Sequence, residues 1–429
     1  METDHRREWA GLVGCYYSNR AREEAEESLR ELEALAEAAG ARVVDRVLQE
    51  RQKPDPALYV GRGKAEELRL RAAAGNLDLF IFDEELTPGQ QRNLENATGC
   101  KIIDRTQLIL DIFAHRARTR EGQLQVELAQ LSYLLPRLSG KGTLLSRLGG
   151  GIGTRGPGET KLEMDRRRIR SRIARLRREL ERVRRKRQLQ RTRRQGVPVP
   201  VVALVGYTNA GKSTLFNALT QAGTEESRRL FATLDPLLRR LVLPNRLEIV
   251  LSDTVGFVRK LPHPIVAAFR ATLEEVQDAN LLLHVIDLSN PEWRRQAGAV
   301  EDVLAQLEVT GTAAITVYNK CDLLPEKPGL NTPDVPENRS VQISAKTGAG
   351  VPALIQAIMT ELETYATEVE LLIPYARTGV LAYLHDQGTI LAELYEADGI
   401  RVRAVIPCSA ARSLRRFFLE EESGRRQHE

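Results

Sequence analysis

The chain is poor in cysteine, with four in 429 residues (Cys15, Cys100, Cys321 and Cys408) and no C-x-x-C pair among them. That spacing argues against a disulfide framework and a thiolate zinc cage, and it fits a reducing compartment. Long apolar runs are missing too, since nothing approaches the ~18–20 residues that a membrane-spanning helix needs. The opening METDHRREWAGLVG has no apolar signal region, so no export is expected. What remains is ample for folding. Hydrophobic residues make up 42% and charged residues 28%, enough for a buried core, and roughly 150 residues per domain predicts about three domains.

Net charge is small, formally +5, but it is unevenly spread. Residues 161–195 hold 17 basic and 4 acidic residues, more surplus charge than the whole chain, so the remainder is net acidic. Few acids within the run can neutralise it through i,i+4 pairs. A confined basic rod of this kind gains by displacing counterions from nucleic-acid phosphates.

The first ~110 residues alternate apolar runs (11–17, 42–48, 78–82, 101–103) with helical patterns (22–39, 64–74, 87–97), the rhythm of a small α/β domain. Next, Leu124, Leu128, Leu131, Leu135 and Leu138 step by 4,3,4,3. Ile169, Ile173, Leu176, Leu180 and Val183 repeat those steps inside the basic rod. Two helices with one apolar seam each predict an antiparallel hairpin. Its tip, SGKGTLLSRLGGGIGTRGPGET, is glycine-rich and carries Lys141, Arg147 and Arg155, and on the rod stand Arg166, Arg167 and Arg170; all six are candidate RNA contacts. Gly196, Pro198 and Pro200 then end any helix. A second α/β rhythm follows to about Tyr365, and short strand-like runs (368–373, 389–394, 401–406) around a helical stretch (378–384) predict a small α+β appendage.

The chemistry is concentrated after Val201. VVALVGYTNAGKSTLF matches G-x-x-x-x-G-K-[ST] at Gly206, Gly211, Lys212 and Ser213, between an apolar run and a helical pattern. Glycines let successive loop N–H groups face phosphate oxygens at a helix N-terminus, Lys212 reaches the β- and γ-phosphates, and Ser213 ligates Mg²⁺. LEIVLSDTVG ends in D-x-x-G, with Asp253 placed for the Mg²⁺ shell and Gly256 for the γ-phosphate. AAITVYNKCD ends in Asn319, Lys320 and Asp322; a carboxylate at Asp322 accepts from guanine's ring N–H and exocyclic amine, a pair that adenine lacks. SVQISAKTG offers Ser344, Ala345 and Lys346 to cover the base. The second Mg²⁺ ligand should be a threonine on a mobile segment. Thr214 and Thr220 fall in the helix, and Thr233 in LFATLDP, on a plausible loop before the next strand, is chosen over Thr224. Residues flanking these motifs complete the expected GTP site: Tyr207, Thr208, Asn209, Ala210, Thr214, Phe231, Ala232, Leu234, Asp235, Thr254, Val255 and Cys321. Lys212, Thr233 and Gly256 are the expected catalytic residues.

GYTNAGKST, FATLDP, DTVGF, NKCD and SAK resemble the motifs of translation-factor-related GTPases, and GGGIGTRGPGETKLEMDRRRIR resembles the signature of HflX-type GTPases. LYVGRGKAEEL, ELTPGQQRNLE and IDRTQLILDIFAHRARTREGQLQVELAQLSYLLPRL match the same family, so the resemblance covers nearly the whole chain. It implies a cytoplasmic GTPase that binds the large (50S) ribosomal subunit and splits stalled ribosomes under stress, with its glycine-rich finger near the peptidyl-transferase rRNA. The family's ATP binding by the N-terminal domain finds only a short GRGK at Gly61–Lys64 here. After FATLDP, where members often have Thr-Thr, this chain has Leu237 and Leu238.

The expected fold is α/β: a P-loop GTPase domain (198–366) with a central, mostly parallel sheet and helices on both faces. Before it come a small α/β domain (1–110) and a helical hairpin (111–197), and after it a small α+β domain (367–429). A monomer is expected. Phe257 stands where many GTPases carry a water-orienting Gln, so either unaided hydrolysis is slow or Phe257 merely packs while backbone holds the water. Asn209 either binds K⁺ or braces the loop. An RNA-remodelling nucleotidase and a non-catalytic assembly factor with GTP as a latch stay open as alternatives.

Overall fold

The computed structural model describes residues 7–18, 21–138, 157–193, 199–220, 231, 237–260, 274–309, 311–324, 339–362, 366–407, 410–411 and 414–418. Lys141, Arg147, Arg155, Thr224, Ala232, Thr233, Leu234 and Asp235 lie outside them. The described chain divides into two compact units. The first holds everything up to Arg184, with Phe231 and Gly256–Lys260; the second holds the rest.

The first unit begins with β1 (Trp9–Tyr16), α1 (Arg22–Ala38), β2 (Arg42–Glu50), α2 (Arg62–Gly75), β3 (Leu79–Phe82), α3 (Pro88–Thr98) and β4 (Lys101–Asp104). The strands form one parallel sheet in the order β2-β1-β3-β4. Burial explains the uninterrupted LFIF of β3: all four side chains are covered, as helices on both faces of a parallel sheet require. Local signals set the helix ends. Thr87 Oγ1 accepts from Gln90 N–H while the Gln90 side chain accepts from Thr87 N–H, a reciprocal cap that starts α3. Gly99 stops that helix in the left-handed conformation at φ 71°. Helix α4 (Arg105–Arg116) follows β4 directly and runs unbroken across residue 110, where the sequence pattern suggests a boundary. Its buried Leu108, Ile109, Leu110, Ile112 and Phe113 give the helix too broad an apolar face for a simple seam.

Beyond it, α5 (Arg120–Arg137) and α6 (Pro157–Arg193) bring Leu124, Leu128 and Leu131 against Leu176 and Leu180. Glu127 takes a bidentate contact from Arg172 (2.6 and 2.7 Å), and Arg120 reaches Glu179 at 3.3 Å. Later residues of α5 thus meet earlier residues of α6, so the pair is antiparallel as the 4,3 steps predict.

The same unit gathers charge where its strand order reverses, at the carboxyl ends of β1, β3 and β4. Arg105, 1% exposed, contacts Glu31 (3.2 Å) and Asp83 (3.4 Å) and donates to the Arg259 carbonyl (3.2 Å). Asp83 accepts from Ser28 (2.7 Å) and Lys260 (2.5 Å), Lys260 also meets Glu84 (2.6 Å), and Arg259 meets Glu27 (3.5 Å). Burial alone would raise the Asp83 carboxyl, but the charges of Arg105 and Lys260, with the Lys260 and Ser28 hydrogen bonds, hold it below the usual carboxylate range. Phe231 packs edge-on against Phe113, ring centroids 4.6 Å apart.

In the second unit β5 (Val201–Gly206), β6 (Leu237–Val242), β7 (Glu248–Asp253), β8 (Leu281–Asp287), β9 (Ala313–Asn319) and β10 (Ser340–Gln342) form a sheet ordered β10-β9-β8-β5-β7-β6. All neighbours are parallel except the β6 edge. On one face, Val202, Leu204, Leu251 and Leu283 pack with Leu215 and Phe216 of α7 (Lys212–Thr220) and with Leu354 and Ile358 of α9 (Val351–Leu362). On the other, Ile286 and Tyr318 cluster with Trp293 of α8 (Trp293–Gln306). The unit ends in an antiparallel sheet, β11 (Ala366–Ile373), β13 (Gly399–Pro407) and β12 (Thr389–Glu396), whose core includes Leu384 of α10 (Thr378–Gln387).

Candidate guanine-nucleotide site

Strand β5 is buried through Val202–Val205 and delivers Gly206 into a tight turn. Gly206 has φ +153°, and a Cβ there would collide with the Val285 carbonyl oxygen on β8, so only glycine fits. Gly211 has φ +94°, and the Asn319 amide occupies the space that a Cβ would need. Between them the chain curls through Tyr207, Thr208, Asn209 and Ala210, then enters α7 at Lys212. Asn209 takes φ +61°, a conformation that Asn tolerates better than most residues, and its side chain is exposed.

Lys212 is buried and folds back onto its own loop, donating to the carbonyls of Gly206 (3.0 Å) and Tyr207 (2.8 Å). Burial pushes its ammonium down to about 8, against a partly compensating Asp253 charge. An anion delivered to this loop would restore the charged form. Ser213 Oγ donates to Asp253 Oδ2 at 2.8 Å, so the two motif oxygens stand side by side. Hard oxygen donors so placed, beside a triphosphate, fit Mg²⁺. Thr254 is fully buried and donates to the Leu204 carbonyl (2.6 Å), which ties the D-x-x-G strand end to β5.

At the other rim Asn319 is 2% exposed, and its amide is engaged within the protein. Nδ2 donates to the Ala210 carbonyl (2.8 Å), and Oδ1 accepts from Ala345 N–H (2.9 Å). Asn319 is held at this rim by both bonds. It pins the phosphate loop to the SAK loop, because both partners lie within reach at the end of β9. Lys320 sits in the left-handed region and donates to Asp287 Oδ2 (2.6 Å), while Cys321–Leu323 make a 3₁₀ turn that leaves Asp322 exposed. Ser344 Oγ accepts from Thr347 N–H (3.2 Å), and Lys346 is exposed. Val255 and Phe257 are buried.

Two residues of the site carry no motif. Asp287 ends β8 and holds both Lys320 and Ser289; an acid closing an apolar strand is the one signal in the sequence that could have found it. His284, also on β8, is buried with an unpartnered Nε2, and burial with the nearby Lys212 charge pushes it down to about 4. Nothing in the sequence announces it.

Three family models match the chain: "GTP-binding GTPase N-terminal" at residues 26–114, "GTP-binding GTPase Middle Region" at 116–194 and "50S ribosome-binding GTPase" at 201–320. The chain is 52% identical to GTPase HflX of Caldanaerobacter subterraneus subsp. tengcongensis, over 92% of this chain and 91% of that protein. The chain belongs to the HflX family. GTPase HflX of Escherichia coli K12 is 44% identical over 91% of this chain and 92% of its own length. A GTP-binding protein of Sulfolobus solfataricus in complex with GDP aligns at 25% identity and TM-score 0.44, covering 82% of this chain and 98% of that one. As an HflX GTPase, the protein binds and hydrolyses GTP.

The HflX middle region contains the basic rod. Among its described side chains Arg167, Arg168, Arg170, Arg175, Arg177, Arg178 and Arg182 are exposed, while Arg166 is half-buried beside Glu163 at 3.9 Å. Arg172 is spent on Glu127, inside the hairpin.

Proposed function

We propose that GTP binding drives docking of this protein on the large ribosomal subunit, that docking splits or rescues stalled ribosomes, and that hydrolysis resets the switch. The observation that carries the reading is the exposed arginine row of α6, on a helix whose apolar seam is already satisfied by α5. Its cationic face is therefore left to meet rRNA phosphates, with Arg166, Arg167 and Arg170 on the rod and Lys141, Arg147 and Arg155 on the glycine-rich segment as contacts. The match to a family described as 50S ribosome-binding GTPases supports the same partner.

In the nucleotide site, Lys212 and the loop amides hold the phosphates, Ser213 and Thr233 hold Mg²⁺, and Asp253 holds it through water. When bound, the ion would supply charge neutralisation to the phosphates. Gly256 N–H meets the γ-phosphate, Asn319 and Asp322 read guanine, and Ser344, Ala345 and Lys346 cover the base. Among the described residues no helix is long and apolar enough to cross a membrane; with a ribosomal partner, the place of action is the cytoplasm and the working form a monomer.

Sedimentation of 70S ribosomes with the protein tests the reading. A non-hydrolysable GTP analogue should shift particles from 70S to 50S and 30S, with the protein on 50S, whereas GDP should not. Equal capture with GDP, with the analogue and without nucleotide would overturn it.

A further inference from the structure

Thr208 is the second residue after Gly206 in the phosphate loop, and its side chain is out of solvent, 7% exposed. Its Oγ1 has no hydrogen-bond partner among the described residues. A hydroxyl left buried and unmet destabilises a fold, so a methyl-bearing residue of the same shape would suit the loop by itself better. Such a group is understandable where a ligand completes it.

The loop shows which part of the ligand that is. Lys212, which reaches β- and γ-phosphates in this motif, rests its ammonium on the Gly206 and Tyr207 carbonyls. Thr208 is the next residue along the loop from the Tyr207 carbonyl. The helix-entry residue Ser213 turns instead toward Asp253 and the metal side. Phe257, the residue after D-x-x-G, has no side-chain donor or acceptor with which to hold the attacking water.

We infer that the Thr208 hydroxyl contacts the γ-phosphoryl group of GTP and helps to order the water that attacks it. In the step itself the water oxygen bonds to the γ-phosphorus, and the bridging P–O bond breaks with its electron pair remaining on the β-phosphate. Both water protons finish on inorganic phosphate. Thr208 keeps its own proton throughout, donating a hydrogen bond to a γ-phosphoryl oxygen and offering its lone pairs to the incoming water. A donor already positioned in a dry loop needs little reorganisation as charge develops.

The inference rests on the nucleotide site described above, and Thr208→Val and Thr208→Ser in the full chain test it. The valine keeps the β-branched shape and loses the hydroxyl; the serine keeps the hydroxyl. Single-turnover GTP hydrolysis without ribosomes should slow about 10- to 100-fold in Thr208→Val and stay within about 3-fold in Thr208→Ser. GDP affinity, read by calorimetry, should stay within about 2-fold in both, since GDP lacks the γ-phosphate. The nucleotide-free melting temperature of Thr208→Val should hold or rise, the opposite of a structural role. Wild-type hydrolysis in Thr208→Val, an equal loss of GDP binding, or a serine variant as slow as the valine would each overturn the inference. Failure of the site itself would look different: the unaltered chain would bind no guanine nucleotide.

Discussion

At the carboxyl ends of β1, β3 and β4 the side chains are charged and already matched: Arg105 lies between Asp83 and Glu31, and Lys260 between Asp83 and Glu84. At the carboxyl ends of β5, β7 and β9 the groups are poised instead. Among the described residues Lys212 donates to carbonyls, Thr208 Oγ1 has no partner, and Asp322 faces solvent. Both sheets are parallel over most of their width, and both place loops where open α/β folds bind ligands. Topology therefore offers a crevice in each, while the local balance of charge decides whether it takes a ligand or is filled by the chain's own ion pairs.

The sharpest break would come from Arg105→Met. Leaving Asp83 and Glu31 without their guanidinium should cost about 3–5 kcal/mol of stability, read from urea unfolding. A neutral or stabilising result would mean that this cluster is kept for something other than holding the fold. Next, Lys212→Ala should weaken GTP at least about 100-fold in calorimetry, with little loss of stability, because the empty loop gains nothing from a buried ammonium. Asp322→Asn should lower GTP affinity about tenfold or more and favour xanthosine triphosphate, whose base presents an acceptor to the new amide.

Replacing Arg166, Arg167 and Arg170 by alanine should flatten the salt dependence of 50S binding, by about one in the log–log slope for each phosphate no longer neutralised. An unchanged slope would take the rod out of the interface. The smallest effect is on pH. Asp83 has its carboxyl held low in the folded state, so its contribution is present above the ordinary carboxylate range and is lost as pH falls through the depressed value. Urea midpoints below about pH 5 should therefore fall less steeply in Asp83→Asn than in the unaltered protein.

Much of the fold is legible in the chain because the signals are local or periodic. The 4,3 steps of Leu124–Leu131 and Ile173–Leu180 need only helical geometry to predict a paired seam. The α/β rhythm of the first hundred residues appears almost residue for residue in β1–β4 and α1–α3. Asn319 is harder. Its motif suggests base recognition, but nothing local shows that its amide also spans Ala210 and Ala345, residues 109 and 26 positions away. Arg259 and Lys260 are silent in the sequence, where nothing marks them as partners of Glu27, Asp83 and Glu84 some 180–230 positions earlier.

Residue type and spacing over a few turns of chain are enough to say where phosphate can be cradled, which base is preferred, and which helix carries the surplus cations. Which polar groups are satisfied and which wait is a matter of packing in three dimensions. The fates of Arg105, Asn319, His284 and Thr208 follow from burial and from neighbours distant along the chain. Desolvation is set by what surrounds a group in space, and the residues beside it in sequence say little about that.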